Sequence, residues 1–315
     1  MTPRITVALC TWNRAKSLER ALESIATAIE VLGRSVQLVV VNNNCTDDTD
    51  KVIKAFSQRI AVTYVHESRA GLANARNAAT RAADGDYIVW TDDDVVVSAR
   101  WLEAYAKAFV EYPHSAFFGG PIRPMFESPP PAWLAAAWRQ VSGIYAVRDL
   151  GDRPLRITNY RQLPYGANFA IKLDLQRHIR YDPRLGRQPP NYWLGGEELE
   201  VLTRLLNERR EGQWVPAAEV LHCVSKDRQT LAYVAKHAFG SGQSKEIRQP
   251  TTGRWLIFGR PVSLWATWLR AVGEVGLATA TGGSQKWLPA LYRAAELSGR
   301  LYRPRPVPSS LARSG

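Results

Sequence analysis

Three adjacent carboxylates, Asp92-Asp93-Asp94, close the apolar run Tyr87-Ile88-Val89-Trp90-Thr91. Alternate residues at a strand end point to the same side, so Asp92 and Asp94 are placed to share a hard divalent cation such as Mg²⁺ or Mn²⁺. Such an ion neutralises a diphosphate and stabilises it as a leaving group. The triplet also suits a solvated turn capping the next helix, but its place at the end of a buried run favours chemistry. A second acidic pair, Glu197-Glu198, follows Gly195-Gly196 at the start of a helical pattern. There the helix dipole keeps a carboxylate ionised. One such base is enough to take the proton of an acceptor hydroxyl while a metal stabilises a departing diphosphate on the opposite side. Paired glutamates in a first turn are also ordinary complements of the dipole. His222 lies in an apolar strand pattern, Val220-Leu221-His222-Cys223-Val224, where a histidine is either structural or a ligand.

Ligands of an open parallel sheet bind beyond the carboxyl ends of its strands. Besides the acidic triplet, those positions are Thr11-Trp12-Asn13-Arg14, Asn42-Asn43-Asn44 and Glu67-Ser68-Arg69, all polar. The asparagine amides suit a base or a ribose, and equally a turn with a helix cap. Arg69, Asn74, Arg76 and Asn77 follow on the next loop and helix, where a guanidinium meets a phosphate.

The elements that must position these groups alternate as an α/β unit with a largely parallel sheet. Residues 5–9 and 38–41 are apolar strand runs. Between them Leu18, Ala21, Leu22, Ile25, Ile29 and Leu32 recur at helical spacing. A helix through Val52, Ile53 and Phe56, a strand over 61–65, a helix over 72–83 closed by Gly85, and the strand Tyr87–Thr91 complete the unit. Beyond it the period is mixed: 121–131 reads as a proline-rich loop, 165–171 as a strand and 197–210 as a helix, which is α+β material.

The composition, 45% hydrophobic and 22% charged over 315 residues, is that of a globular protein. Cys10, Cys45 and Cys223 form no CxxC pair, and the first residues, MTPRITVALCTW, hold no signal core, so a reducing, cytoplasmic setting is expected. Of the net charge of +12, residues 225–315 carry +10, from fourteen Lys or Arg against four Asp or Glu. Residues 253–302 read as one or two basic, Trp-rich amphipathic helices. Arg270 and Glu274 interrupt their most apolar stretch, so the segment is expected to lie on an anionic membrane surface, on its inner face, rather than cross it. Nucleic acid is not an expected partner, and 304–315 is expected to be disordered.

The order TWNR, VVVNNNCTDDT, GLANARNAA, TDDDVVVSARWL, PYGANFAI and LGGEELEVLTRL resembles family-two glycosyltransferases over residues 5–242. The resemblance implies the GT-A fold: a Rossmann-like nucleotide-binding α/β sheet with helices on both faces (1–120) and an α+β acceptor and catalytic-base region (121–245). The basic helical tail (246–303) follows. It also implies inverting transfer from a nucleotide diphosphate sugar to a glycan, lipid-linked or similar acceptor, in polysaccharide biosynthesis, with Mg²⁺ or Mn²⁺. By that resemblance Thr11, Asn13 and Arg14 lie near the nucleotide, Asn42 with Asn44 faces the base, and Arg76 and Asn77 hold nucleotide or phosphate. Asp92 and Asp93 contact the donor, Asp92, Asp94 and His222 serve the metal, and Glu198 is the base. The family commonly has Asp where this chain has Asn42 and Glu198; the extra methylene moves a carboxylate by about 1.5 Å, which keeps Glu197 as the alternative base. Trp133, Trp138, Trp193 and Tyr192 are expected to form an acceptor wall, since aromatic faces stack on sugar rings. A metal-dependent nucleotidyltransferase lacks its glycine-rich loop here, and a non-catalytic glycan-binding protein leaves the acids after the fourth strand without a purpose.

Overall fold

Alternation along the first strands sends side chains into two apolar layers. In β1 (Ile5–Thr11), Ile5, Val7 and Leu9 join one cluster and Ala8 the other; in β2 (Gln37–Asn42), Leu38 and Val40 separate from Val39 and Val41 in the same way. Strands apolar on both faces must be covered on both. Helices α1 (Ala15–Leu32), α2 (Thr49–Ser57) and α4 (Trp101–Glu111) cover one face, and α3 (Leu72–Ala82), α6 (Leu173–His178) and α7 (Glu197–Asn207) the other. Helix α1 buries Leu18, Leu22 and Ile25 and stops at Gly33, whose φ of 66° lets its N–H reach the Ile29 and Glu30 carbonyls. The computed structural model describes residues 2–302; the expectation for 304–315 lies outside the described residues.

The main sheet has eight strands in the order β3 (Val62–His66), β2, β1, β4 (Tyr87–Thr91), β9 (Asn168–Lys172), β6 (Phe117–Gly119), β10 (Gly212–Trp214), β8 (Leu155–Ile157). The first four are parallel, and β9 runs antiparallel between β4 and β6. The chain moves outward from β1 to β3 and then returns to the other side of β1 with β4. That reversal opens a crevice at the carboxyl ends of β1 and β4, where Thr11 and the acidic triplet end.

A second sheet, β5 (Val95–Val97), β11 (Val220–Val224) and β7 (Ile122–Phe126), sits beside this crevice. Residues 121–131, expected to be a loop, thus contain a strand. It tolerates Pro124 because β7 is the edge strand of this sheet, with β11 on one side and, on the other, an isolated bridge from Ile122 to Arg148 that leaves Pro124 unpaired. Asn168 ties the sheets together: its buried Oδ1 accepts from Trp101 Nε1 (2.9 Å) and the Tyr105 hydroxyl (2.8 Å), and its Nδ2 donates to the carbonyls of Pro121 (3.0 Å) and Ala218 (2.7 Å).

Helix α5 (Ala132–Val141) packs against α10 (Ser284–Leu301), which follows α8 (Leu231–Arg248), a short hairpin of β12 (Leu256–Ile257) and β13 (Arg260–Pro261), and α9 (Val262–Thr281). Helix α10 crosses α8 on glycine: a Cβ on Gly242 would lie 1.9 Å from the Glu296 carbonyl oxygen, and one on Gly299 1.9 Å from that of Phe239. Glu246 of α8 binds Arg260 (2.8 Å) and Arg300 (3.3 Å), tying hairpin and last helix to the body. The boundary expected between 245 and 246 lies within α8. Among the described residues no helix is long and apolar enough to cross a membrane.

Candidate active site

The crevice deepens into a cavity of about 660 Å³ lined by Thr11, Asn13, Arg14, Arg76, Asp92, Asp93, Asp94, Glu197, Glu198 and His222. These come from five separate stretches of sequence. Asn13 takes the left-handed φ of 52°, which asparagine tolerates, and its Oδ1 accepts from the Thr46 N–H at 2.7 Å. That turn aims Arg14 at the acids: its Nη1 lies 2.9 Å from both Asp93 Oδ1 and Asp94 Oδ2, and Thr11 donates to Asp93 at 2.8 Å.

Pairing of β5 with β11 sets His222 opposite Val95, the residue after Asp94, and brings His222 Nε2 within 3.4 Å of Asp94 Oδ1. Arg228, a residue the sequence patterns had not singled out, donates to Asp94 Oδ2 at 2.8 Å and lies 3.3 Å from His222 Nε2. Burial would raise the Asp94 pKa, but His222, Arg228 and Arg14 prevail and hold it well below the usual carboxylate range. Asp93 moves the other way: burial, with the charge of Asp94, raises it against Arg14.

Asp92 lines the same cavity, and its Oδ1 is 3.4 Å from Arg76 Nη2. Arg76 is buried against the rings of Trp90, Phe169 and Tyr181 and pairs with Glu197 at 3.3 Å, so it meets carboxylates where a phosphate had been expected. Burial and then the neighbouring Glu198 push Glu197 up to about 7, against the pull of Arg76. Glu198 is half-buried, lines the cavity and accepts the Gly166 N–H at 3.2 Å.

Three expected residues lie outside the cavity lining. Asn42 is spent on Asp50 (2.6 Å), Tyr64 and the Cys45 N–H (2.7 Å). Asn44 is an exposed turn residue with φ 62°. Asn77 clamps both backbone groups of Tyr181, at 2.9 and 3.0 Å. The cavity takes Asn43 instead, which pins the Glu67 and Arg69 carbonyls and the Gly71 N–H. Of the aromatic wall, Tyr192 and Trp193 line the cavity, and Tyr192 stacks on Trp12 at 4.9 Å; Trp133 and Trp138 pack into the cluster beneath α5. Cys10 also lines the cavity, but burial pushes its thiol up to about 12, which excludes a thiolate nucleophile at neutral pH.

Among the described residues no three His, Cys, Asp or Glu side chains are close enough to hold a metal. Asp94 Oδ1 and His222 Nε2 lie 3.4 Å apart on the cavity wall.

Residues 6–159 match the model of Glycosyl transferase family 2. The succinoglycan biosynthesis protein ExoM of Rhizobium meliloti is 24% identical over 288 residues, covering 90% of this chain and 82% of that protein. Glycosyltransferase GlyA of Streptococcus pneumoniae is 31% identical over 110 residues, which are 35% of this chain and 15% of that longer protein. Among solved structures, the mannosyltransferase PcManGT from Pyrobaculum calidifontis, in complex with GDP-Man and Mn²⁺, superposes with a TM-score of 0.61 at 19% identity, covering 96% of this chain and 88% of that one. Residues 1–349 of S. aureus TarS, in complex with UDP, give 0.53 at 14% identity, with 94% and 89% covered. The expected GT-A fold is the one observed.

Proposed function

We propose that the chain, whose residues 6–159 match glycosyl transferase family 2, is an inverting transferase that moves a sugar from a nucleotide diphosphate donor to a glycan or lipid-linked acceptor. The observation that carries this reading is the single cavity joining Asp94, which Arg228 binds at 2.8 Å, and His222 at one side to Glu198 at another. Transfer needs both: cations where a diphosphate leaves and a base where a hydroxyl attacks. Thr11, Asn13 and Arg14, on the loop after β1, bound the nucleotide end. Asp94 and His222, with donor phosphate oxygens, would hold Mg²⁺ or Mn²⁺, which supplies charge neutralisation of the diphosphate. Arg14 and Arg228 add fixed positive charge to the same spot.

Glu198 is the base in this reading, because it is half-buried on the cavity wall, whereas Glu197, which also lines the cavity, is sealed against Arg76. The acceptor oxygen forms a bond to the anomeric carbon as the bond from that carbon to the diphosphate breaks. The hydroxyl proton passes to Glu198, and the electron pair leaves with the nucleotide. Attack opposite the leaving group inverts the anomeric centre. Trp193, Tyr192 and Trp12 provide flat faces for sugar rings.

Peripheral attachment to an anionic membrane fits the hairpin before α9. Phe258 is 87% exposed and Trp255 72%, with Leu256 and Ile257 also exposed. Phe258 holds a φ of 48°, a strained setting for a bulky side chain, and Arg254 lies over Trp255. An apolar tip flanked by basic residues is the chemistry of a surface that enters lipid headgroups. Incubation with a panel of labelled nucleotide sugars and lipid-extract acceptors tests the main reading: one donor should release nucleotide diphosphate with acceptor-dependent transfer of label, and no transfer from any donor would sink it.

A further inference from the structure

Beyond Glu198 the cavity continues along α8. Tyr233, His237, Ser241, Ser244 and Arg248 recur every three or four residues, so one stripe of the helix lines it, faced by Tyr292 of α10. The stripe also holds the loop that carries the candidate base: the Ser244 hydroxyl accepts the Gly195 N–H at 3.0 Å, and Asn191 donates to Gln243 at 2.6 Å.

The basic groups here have no counter-charge. Other cations of this region are matched, Lys245 with Glu296 and both Arg260 and Arg300 with Glu246. Arg248 and Arg187, which both line the cavity, form no ion pair with any described residue. Arg248 Nε and His237 Nδ1 are sealed from solvent without a hydrogen-bond partner. Leaving such donors unmade is costly, and a ligand that supplies acceptors removes the cost. The positive charges of Arg187 and Arg228, after burial, hold His237 down to about 4, which marks the same unbalanced field. Arg248 Nε would lie 3.5 Å from a Cβ on Gly196, two residues before Glu198, on the base side of the cavity.

We propose that Arg248, at the end of the α8 stripe, anchors an anionic group, carboxylate or phosphate, carried by the acceptor. This rests on the transferase reading above. A charged acceptor would be anchored next to the base, so that only a hydroxyl at a fixed distance from its anion reaches Glu198.

The test is binding, by saturation-transfer NMR, of glucuronate as the carboxylate source, glucose 1-phosphate as the phosphate source and glucose as the neutral control. Wild type, Arg248→Gln and Arg248→Lys are compared, and the affinity of each for nucleoside diphosphates with Mn²⁺ is measured in the same samples. One of the two anionic sugars should bind more tightly than glucose, weaken about tenfold in Arg248→Gln and recover in part in Arg248→Lys, with nucleotide affinity unchanged. Anions that bind no better than glucose, or equally well to Arg248→Gln, overturn the subsite. A fall in nucleotide affinity on substitution also overturns it, by assigning Arg248 to the donor. Failure of the transferase reading appears separately, as a wild type that binds no nucleotide.

Discussion

Arg76 and Glu197 form an ion pair, Nε to Oε1 at 3.3 Å, with both side chains almost sealed from solvent. Through it α3 and the first turn of α7 are locked together, and the Arg76 Nη2 contact at 3.4 Å extends the link to Asp92. The two adjacent glutamates thereby differ: Glu197 is sealed against Arg76 and Glu198 is half-buried, and both line the cavity.

Removing one partner leaves a buried charge uncompensated, at a cost of about 3–5 kcal/mol. Arg76→Met should therefore lower stability by that order in urea denaturation, and the double variant Arg76→Met/Glu197→Leu should recover much of it. A single variant as stable as wild type would contradict the pairing.

Glu197 gives the folded protein a pH dependence. Burial and Glu198 hold its pKa up to about 7, above the ordinary 4.5, so between these values the folded state binds a proton that the unfolded chain has released. The contribution is present in full below the ordinary value and is lost as pH rises through the raised one. The Tm of wild type minus that of Glu197→Gln should fall between about pH 5 and about pH 8; a difference that stays flat would refute the raised pKa.

Activity should separate the two acids. Glu198→Gln is expected to lower kcat by roughly 10²–10⁴ with nucleotide affinity unchanged, the range for loss of a general base. Glu197→Gln keeps a hydrogen-bonding side chain beside Arg76, and its kcat should fall less. The reverse order would make Glu197 the base.

The last helix and the hairpin make different demands. Gly299→Val would press its Cβ into the Phe239 carbonyl and should cost about 2 kcal/mol or more, read as a lower Tm. Phe258→Asp, at an exposed tip, should leave Tm unchanged and abolish flotation with anionic liposomes, whereas flotation insensitive to both this change and salt would contradict membrane docking.

Much of the first half was legible because its signals are local. Apolar runs and helical spacing over β1 to β4 set the crevice, and the strand Tyr87–Thr91 was read with its observed bounds. Contacts made by long-range pairing left no such trace. Nothing in the sequence near Arg228 points to Asp94, 134 positions away, and the valines after the triplet pair with β11 only once the second sheet forms. Asn42 and Asn43 show the limit of reading one strand end: adjacent residues face opposite ways, and Asn43 is the one that lines the cavity. The stripe on α8 was hidden because its Tyr, His, Ser and Arg side chains are lined up by helix geometry and not by hydrophobicity.

The most direct measurement is isothermal titration of the protein with UDP, GDP, CDP and dTDP, each with and without Mn²⁺, repeated on Asp94→Ala. The account predicts that one diphosphate binds tightly, that binding depends on Mn²⁺, and that the variant loses it. No binding of any of the four, or binding that neither Mn²⁺ nor Asp94→Ala alters, would contradict a nucleotide diphosphate donor held at Asp94.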